Sequence, residues 1–162
     1  MGRAARVIDG LGDLFGSTGV VFALAALDKR GVLEALAARA AALAGRDPGA
    51  VVDVILRREA LGSTGFGAGT AIPHGRLAGL DQIVVVAAKL AAPVDYAALD
   101  GLPVDLVVLM MAPEGDGAEH LKALARVSRA LRDAAWCGQL RAAGSADVFY
   151  ETLVGTRRSA AA

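Results

Sequence analysis

The chain has only two histidines, and both stand where an imidazole could do chemistry. His74 lies between Pro73 and Gly75, behind the glycine-rich run Gly62-Ser63-Thr64-Gly65-Phe66-Gly67-Ala68-Gly69. Pro73 fixes its own φ and biases Ile72 towards extended backbone. Gly75 lets the chain turn away with no side chain in the way. The ring is therefore expected on a stiff corner, presented to a partner. Imidazole is nucleophilic near neutral pH and changes charge there, so a rigid histidine beside Gly, Ser and Thr suits a phosphoryl acceptor. His120 falls in the first turn of a helix that Asp116 is expected to cap. Free amides and the positive dipole end make such a turn a place for anions, phosphate in particular. The same dipole disfavours protonation of the ring. Against this, a lone histidine is often a satisfied surface or core residue, and each of the two can be read that way.

Other chemistries fit less well. Gly65, Gly67 and Gly69 have the wrong spacing for a dinucleotide loop, and a helix rather than a strand precedes them. No Lys-Ser or Lys-Thr follows to make a P-loop, and Ser63 directly after Gly62 breaks the nucleophile-elbow spacing. Zinc needs three or four ligands. Two histidines without a cysteine pair argue against it, although a carboxylate could join them. No cofactor is expected.

The elements that must position these rings are legible from periodicity and caps. Val20–Leu24 reads as a strand. Asp28 caps a helix to about Ala44, with Val32, Leu33, Leu36, Ala40 and Leu43 at helical spacing, and Gly45 ends it. Asp47 followed by Pro48 opens a second helix running to Gly62. Ile83–Ala88 and Val104–Met111 are apolar and continuous, the pattern of strands covered on both faces. Pro93–Pro103 reads as a turn-rich connection. Asp116 and Glu119 form a capping-box-like pair at the head of a long helix, with Leu121, Leu124, Ser128 and Leu131 on one face. Ser145 or Asp147 opens a short last helix through Leu153. Alternating helices and apolar strands predict an α/β layered domain. Its expected boundaries are a divergent N-terminal arm over 1–19, the domain over 20–155 and a flexible tail over 156–162.

Composition narrows the class. Lys plus Arg and Asp plus Glu balance at 17 each in 162 residues, which gives no support to electrostatic nucleic-acid binding. The apolar runs fall short of the roughly 20 residues of a membrane helix, and Asp9, Gly10, Gly12 and Asp13 interrupt any signal-peptide pattern. A single cysteine, Cys137, fits a reducing cytoplasm and is expected to be a small buried apolar residue.

Several segments together resemble a known family. These are Arg58-Glu59 with Gly62-Ser63-Thr64-Gly65, Ala71-Ile72-Pro73-His74-Gly75, Pro93-Val94-Asp95-Tyr96 with Asp100-Gly101, Val104-Asp105-Leu106-Val107, and Ala112-Pro113-Glu114 leading to Glu119-His120-Leu121. In this order they resemble enzyme IIA domains of the fructose/mannitol type from the bacterial phosphoenolpyruvate-dependent phosphotransferase system, in particular the free-standing nitrogen-regulatory members. The resemblance covers roughly Val20 to Leu153. Thr70 departs from it where Ile or Val is frequent. It implies a mixed β-sheet with helices on both faces. It implies that His74 is phosphorylated on Nε2, that His120 contacts the phosphoryl group, and that Arg58 lies nearby. Ser63, Thr64 and Gly65 are candidate phosphate-binding residues, through hydroxyl and backbone N–H donors, with turn or capping roles as the alternative. Arg58 alternatively makes a surface ion pair with Glu59 or a helix neighbour. Phe66, Ile72 and Leu77 either rim a docking surface or pack inward. The implied donor is an HPr-type histidine phosphocarrier. The implied role is chiefly regulatory, on targets such as potassium-transport or sensor-kinase proteins. The alternatives are sugar uptake, with phosphate passed to a separate IIB domain, and a IIA-like binding module that no longer transfers.

Overall fold

Apolar runs without polar alternation need cover on both faces of a sheet, and this chain folds to provide it. The computed structural model describes residues 7–8, 11–115, 117–155 and 157–158. The chain runs through β1 (Val7–Ile8), a 3-10 turn at Ser17–Gly19, β2 (Val20–Leu24), α1 (Lys29–Ala44) and α2 (Pro48–Ala60). It continues through β3 (Gly65–Gly67), β4 (Thr70–Ala71), β5 (His74–Leu77), β6 (Val84–Val94) and β7 (Val104–Pro113). Last come α3 (Gly117–Leu131), α4 (Ala134–Ala142), α5 (Ala146–Val154) and β8 (Arg157–Arg158).

A mixed sheet of six strands follows the order β2-β6-β7-β4-β3, with β5 also paired to β7. β6 and β7 are antiparallel, with Val86 opposite Leu109 and Ala88 opposite Val107. β2 lies parallel to β6, and β4 and β5 lie parallel to β7. β4 and β5 are thus two stretches of one extended path along β7, interrupted at Ile72-Pro73. β1 and β8 pair separately as a two-residue antiparallel ribbon.

Strand alternation divides the core in two. Val86, Ala88, Val107, Leu109 and Met111 face Val32, Leu36 and Ala40 of α1 and Val51 and Ile55 of α2. Val85, Ala87, Leu106, Val108 and Met110 face Val127 and Leu131 of α3, Trp136 and Leu140 of α4, and Phe149 of α5. Helices therefore cover both faces, as expected.

The caps work as the sequence implies. Asp28 accepts from the Gly31 N–H, Asp47 from Ala50 and Ser145 from Val148. Gly45 takes the left-handed conformation at φ 63° that ends α1.

Several expectations change. α4, capped by Asp133 through the Trp136 N–H, lies between the long helix and the last one, where no helix is expected from the sequence. β6 runs six residues past Ala88, to Val94. The buried face of α3 is His120, Ala123, Val127, Ala130 and Leu131, whereas Leu121 is 65 % exposed, so the face read from leucine spacing is rotated. Within the stretch over 1–19 expected to be a divergent N-terminal arm, Leu11 and Phe15 are buried in the core. Asp13 and Arg126 close a bidentate ion pair at 2.7 Å over that stretch. The Asp116 cap lies outside the described residues, as does the expected tail except for Arg157 and Arg158.

Candidate functional site

His74 is the first residue of β5, and the two residues before it are pinned. The Ile72 N–H donates to Thr64 O at 3.1 Å, and the Met110 N–H donates to Pro73 O at 2.9 Å. His74 itself stands opposite Met110 in register. The stiff corner expected at Pro-His-Gly is therefore a strand entry, and Gly75 serves something other than a turn. A Cβ at Gly75 would lie 2.5 Å from Val54 Cγ1. Glycine is needed because α2 packs directly on β5. That contact carries Arg58, in the last turn of α2, to the histidine.

α2 and α3 approach β5 from opposite faces of the sheet, and among the described residues β5 has a strand partner on one side alone. The result is an open cavity of about 400 Å³ lined by His74, His120, Arg57, Arg58 and Arg76, with an apolar margin of Val54, Leu61, Leu121 and Leu124. Three arginines and no carboxylate line it, so the site is built for an anion. Arg58 Nη1 donates to Gly62 O at 3.0 Å, which holds its guanidinium at the rim. Arg57 is tied to Asp53 at 2.8 Å.

The ring protons follow from the partners. His74 Nδ1 lies 2.8 Å from Ile72 O. A carbonyl only accepts, so Nδ1 carries the hydrogen and Nε2 keeps its lone pair. Arg76 Nε lies 3.2 Å from His120 Nδ1. A guanidinium only donates, so this ring has the opposite tautomer and its Nε2 carries the hydrogen. His120 is 4 % exposed, and its Nε2 has no hydrogen-bond partner among the described residues. The rings meet edge to face, centroids 5.7 Å apart at 74°. The two rings thus line one cavity, one with an acceptor-ready Nε2 and the other with an unsatisfied N–H.

Both rings are biased towards the neutral form. Burial is the main force pushing the His74 pKa below its ordinary value, and the Arg58 charge adds to it, against the Ile72 hydrogen bond and Glu59. Burial likewise lowers His120, followed by His74 and Arg76. A neutral imidazole is the nucleophilic form.

Ser63, Thr64 and Gly65 are placed elsewhere. Thr64 is buried, and its N–H and hydroxyl both bind the Glu59 carboxylate, at 2.8 and 2.6 Å. The same hydroxyl meets Tyr96 Oη at 3.0 Å. Lys29 completes the cluster, 2.9 Å from Glu59 and 4.5 Å above the Tyr96 ring. Ser63 Oγ donates to Tyr96 O and accepts from the Gly65 N–H. A Cβ at Gly65 would lie 2.9 Å from Tyr96 and Ala98. None of the three lines the histidine cavity; their bonds brace the loop that leads to it. Glu59 is therefore engaged by Lys29 and Thr64, and not by Arg58. Phe66, Ile72 and Leu77 pack inward against the two cores.

Arg76, Arg57, Leu61 and Leu121 were missed in the sequence. For Arg76 a signal existed: it is two residues after His74, and i and i+2 share a face of a strand. It went unread because His74 was expected on a corner. For the others, only the packing of α2 and α3 on β5 brings them to the ring.

Among the described residues, no helix is long and apolar enough to cross a membrane. No cluster of three or more His, Cys, Asp or Glu could hold a metal there. Cys137 is buried, its Sγ 3.3 Å from Leu131 O.

Comparison with known proteins gives the family and the fold. A nitrogen regulatory protein of Bradyrhizobium diazoefficiens is 48% identical over 141 residues, covering 87% of this chain and 92% of that protein. The crystal structure of nitrogen regulatory protein IIA-Ntr from Neisseria meningitidis superposes with a TM-score of 0.83 at 29% identity, covering 88% of this chain and 98% of that one. The IIA mannitol structure from Escherichia coli shares the fold, with a TM-score of 0.71 at 22% identity over 86% of this chain and 98% of that one. The sequence profile of the phosphoenolpyruvate-dependent sugar phosphotransferase system EIIA 2 family matches residues 13–155. The chain belongs to that family.

Proposed function

We propose that this chain accepts a phosphoryl group on His74 Nε2 from an HPr-type histidine phosphocarrier and acts mainly as a regulator whose partners read its phosphorylation state. The observation that carries the reading is the cavity itself: His74, whose Nδ1 is taken up by Ile72 O, His120, whose Nε2 is unpartnered, and three arginines line one space without a carboxylate.

The chemistry is an exchange of like for like. The neutral His74 Nε2 attacks phosphorus in line. A new N–P bond forms as the donor's N–P bond breaks, and the donor imidazole leaves with the electron pair. No proton has to move, because Nδ1–H stays on Ile72 O and eases the positive charge that grows on the ring. Positioning and charge stabilisation supply the rate. The His120 Nε2–H donates to a phosphoryl oxygen, and Arg58 neutralises charge on the others. The apolar margin of Leu61 and Leu121 suits a protein donor better than a small phosphate ester.

The regulatory role rests on the likeness to the Bradyrhizobium protein over nearly its whole length. A phosphoryl group at the centre of an apolar-rimmed surface adds charge where a partner would dock, and so switches binding. The test is incubation with a phosphorylated carrier followed by mass spectrometry. Wild type should gain one acid-labile phosphoryl group on His74, and His74→Ala none; equal labelling of the variant would end the acceptor assignment. Discharge of the labelled protein to a fructose- or mannitol-type IIB would move the role to sugar uptake. Failure of the wild type to label at all would leave a non-transferring binding module.

A further inference from the structure

We infer that Arg76 is a positioning residue that fixes His120 as a neutral Nε2–H donor. This deepens the acceptor reading above and rests on it for its consequence in catalysis.

An imidazole free in water samples both neutral tautomers. Only one of them lets His120 offer a hydrogen to an anion in the cavity from Nε2. The selecting contact is the 3.2 Å bond from Arg76 Nε to His120 Nδ1. Guanidinium remains protonated throughout the accessible pH range, so it cannot become an acceptor, and Nδ1 is held as the bare nitrogen. Every polar bond that the ring makes among the described residues is this one, since Nε2 is unpartnered.

The guanidinium has room to reach the ring because α3 begins with glycine. A Cβ at Gly117 would stand 3.3 Å from Arg76 Nη2, a tighter approach than the guanidinium would keep unmoved. The strand supplies the rest: His74 and Arg76 are alternate residues of β5, so they emerge on one face. One element thus presents the nucleophile and the group that orients its neighbour.

The positive charge has a second effect. His120 is faced by His74 and Arg76 from β5, and Arg57 and Arg58 of α2 line the same cavity; Glu119 precedes it on its own helix. Protonation of His120 would add a cation to this cluster. It would also turn Nδ1–H against the guanidinium. Arg76 therefore selects the tautomer and opposes the charged form together. His120 can then serve as a hydrogen-bond donor without needing to be an imidazolium.

Nitrogen-15 NMR of the imidazoles in the full chain reads the tautomer directly, without phosphate or partner. In the wild type at neutral pH, His120 should be the Nε2–H form. In Arg76→Ala, the ring should become a mixture of tautomers and its titration midpoint should rise. Arg76→Gln separates the two effects: its amide can still donate to Nδ1, so the tautomer should survive while the midpoint rises. Phosphoryl acceptance from the carrier should fall about 10- to 100-fold in Arg76→Ala, the scale of one charge-assisted bond, with a smaller loss in Arg76→Gln. Arg76 is exposed, so the variants should melt close to the wild type. An unchanged His120 tautomer and midpoint in Arg76→Ala would overturn the assignment, and so would a changed tautomer with an unchanged acceptance rate. If the wild type does not label while its His120 follows the NMR expectations, the acceptor reading fails and Arg76 stands as the fixer of the donor.

Discussion

At the residue scale, two identical side chains have been given opposite roles by what their Nδ1 atoms touch. A carbonyl 2.8 Å from His74 Nδ1 leaves Nε2 electron-rich, and a guanidinium 3.2 Å from His120 Nδ1 leaves Nε2 protonated. No property of histidine itself makes that distinction. His120 gives nothing to the hydrogen-bond network through Nε2, and a buried orphan of this kind ordinarily costs about 1–3 kcal/mol. Retaining it makes sense if a ligand oxygen fills the role. His120→Ala should therefore slow phosphoryl acceptance about 10²- to 10³-fold, as removal of one positioned donor does at a site of developing charge. The protein should still unfold cooperatively by circular dichroism. A variant that fails to fold would make His120 a structural residue instead.

At the element scale, the decisive contact is that of α2 on β5. Arg58 reaches the site because Gly75 admits Val54, and Arg57 and Arg58 lie in the last turn of α2, where the helix dipole favours cations. Gly75→Ala must push α2 outward or distort the strand. Overpacking of this sort costs about 1–3 kcal/mol, readable as a lowered urea midpoint. Acceptance should drop more than stability alone explains, because Arg58 moves with α2. A variant with normal labelling and normal stability would mean that the helix yields without consequence. The hairpin of β3 and β4 is braced in the same spirit. Asp100 accepts from the Ala68 and Leu102 N–H groups, and the Glu59 cluster holds Thr64. Motif residues that look like ligand contacts in the sequence thus act by holding the path into His74.

At the scale of the whole molecule, the site lies where the two halves of the core meet the end of the sheet. α2 belongs to one half and α3 to the other, so neither half alone makes the cavity. The stability of the whole is tied to the two rings through protons. Both native pKa values lie below the ordinary 6.5. As pH falls past about 6.5, the unfolded chain takes up protons that the native rings resist, so stability drops. Above that value the contribution is fully present, and the decline ends only below the depressed native values. The carboxyls of Asp13 and Asp100, also lowered, act in the same direction in a separate, more acid window below 3.8. Urea midpoints measured across mildly acid pH should fall more steeply for the wild type than for the double variant His74→Asn, His120→Asn. Parallel curves would show that the rings titrate alike in both states.

Much of the architecture is local and therefore legible. Asp28, Asp47 and Ser145 cap helices through bonds that span three residues, and the β-branched runs of β6 and β7 announce strands covered on both faces. Pro73-His74-Gly75 marks the candidate ring for the same reason: proline and glycine act on their immediate neighbours. What the chain alone left open depends on residues far apart in it. β5 is a strand only because β7 pairs with it. Tautomer choice at His120 depends on a guanidinium 44 positions away. Amino-acid order therefore determined which groups could react, while tertiary packing decided which nitrogen of each ring carries the proton, because its place on imidazole is set by contacts and not by the side chain.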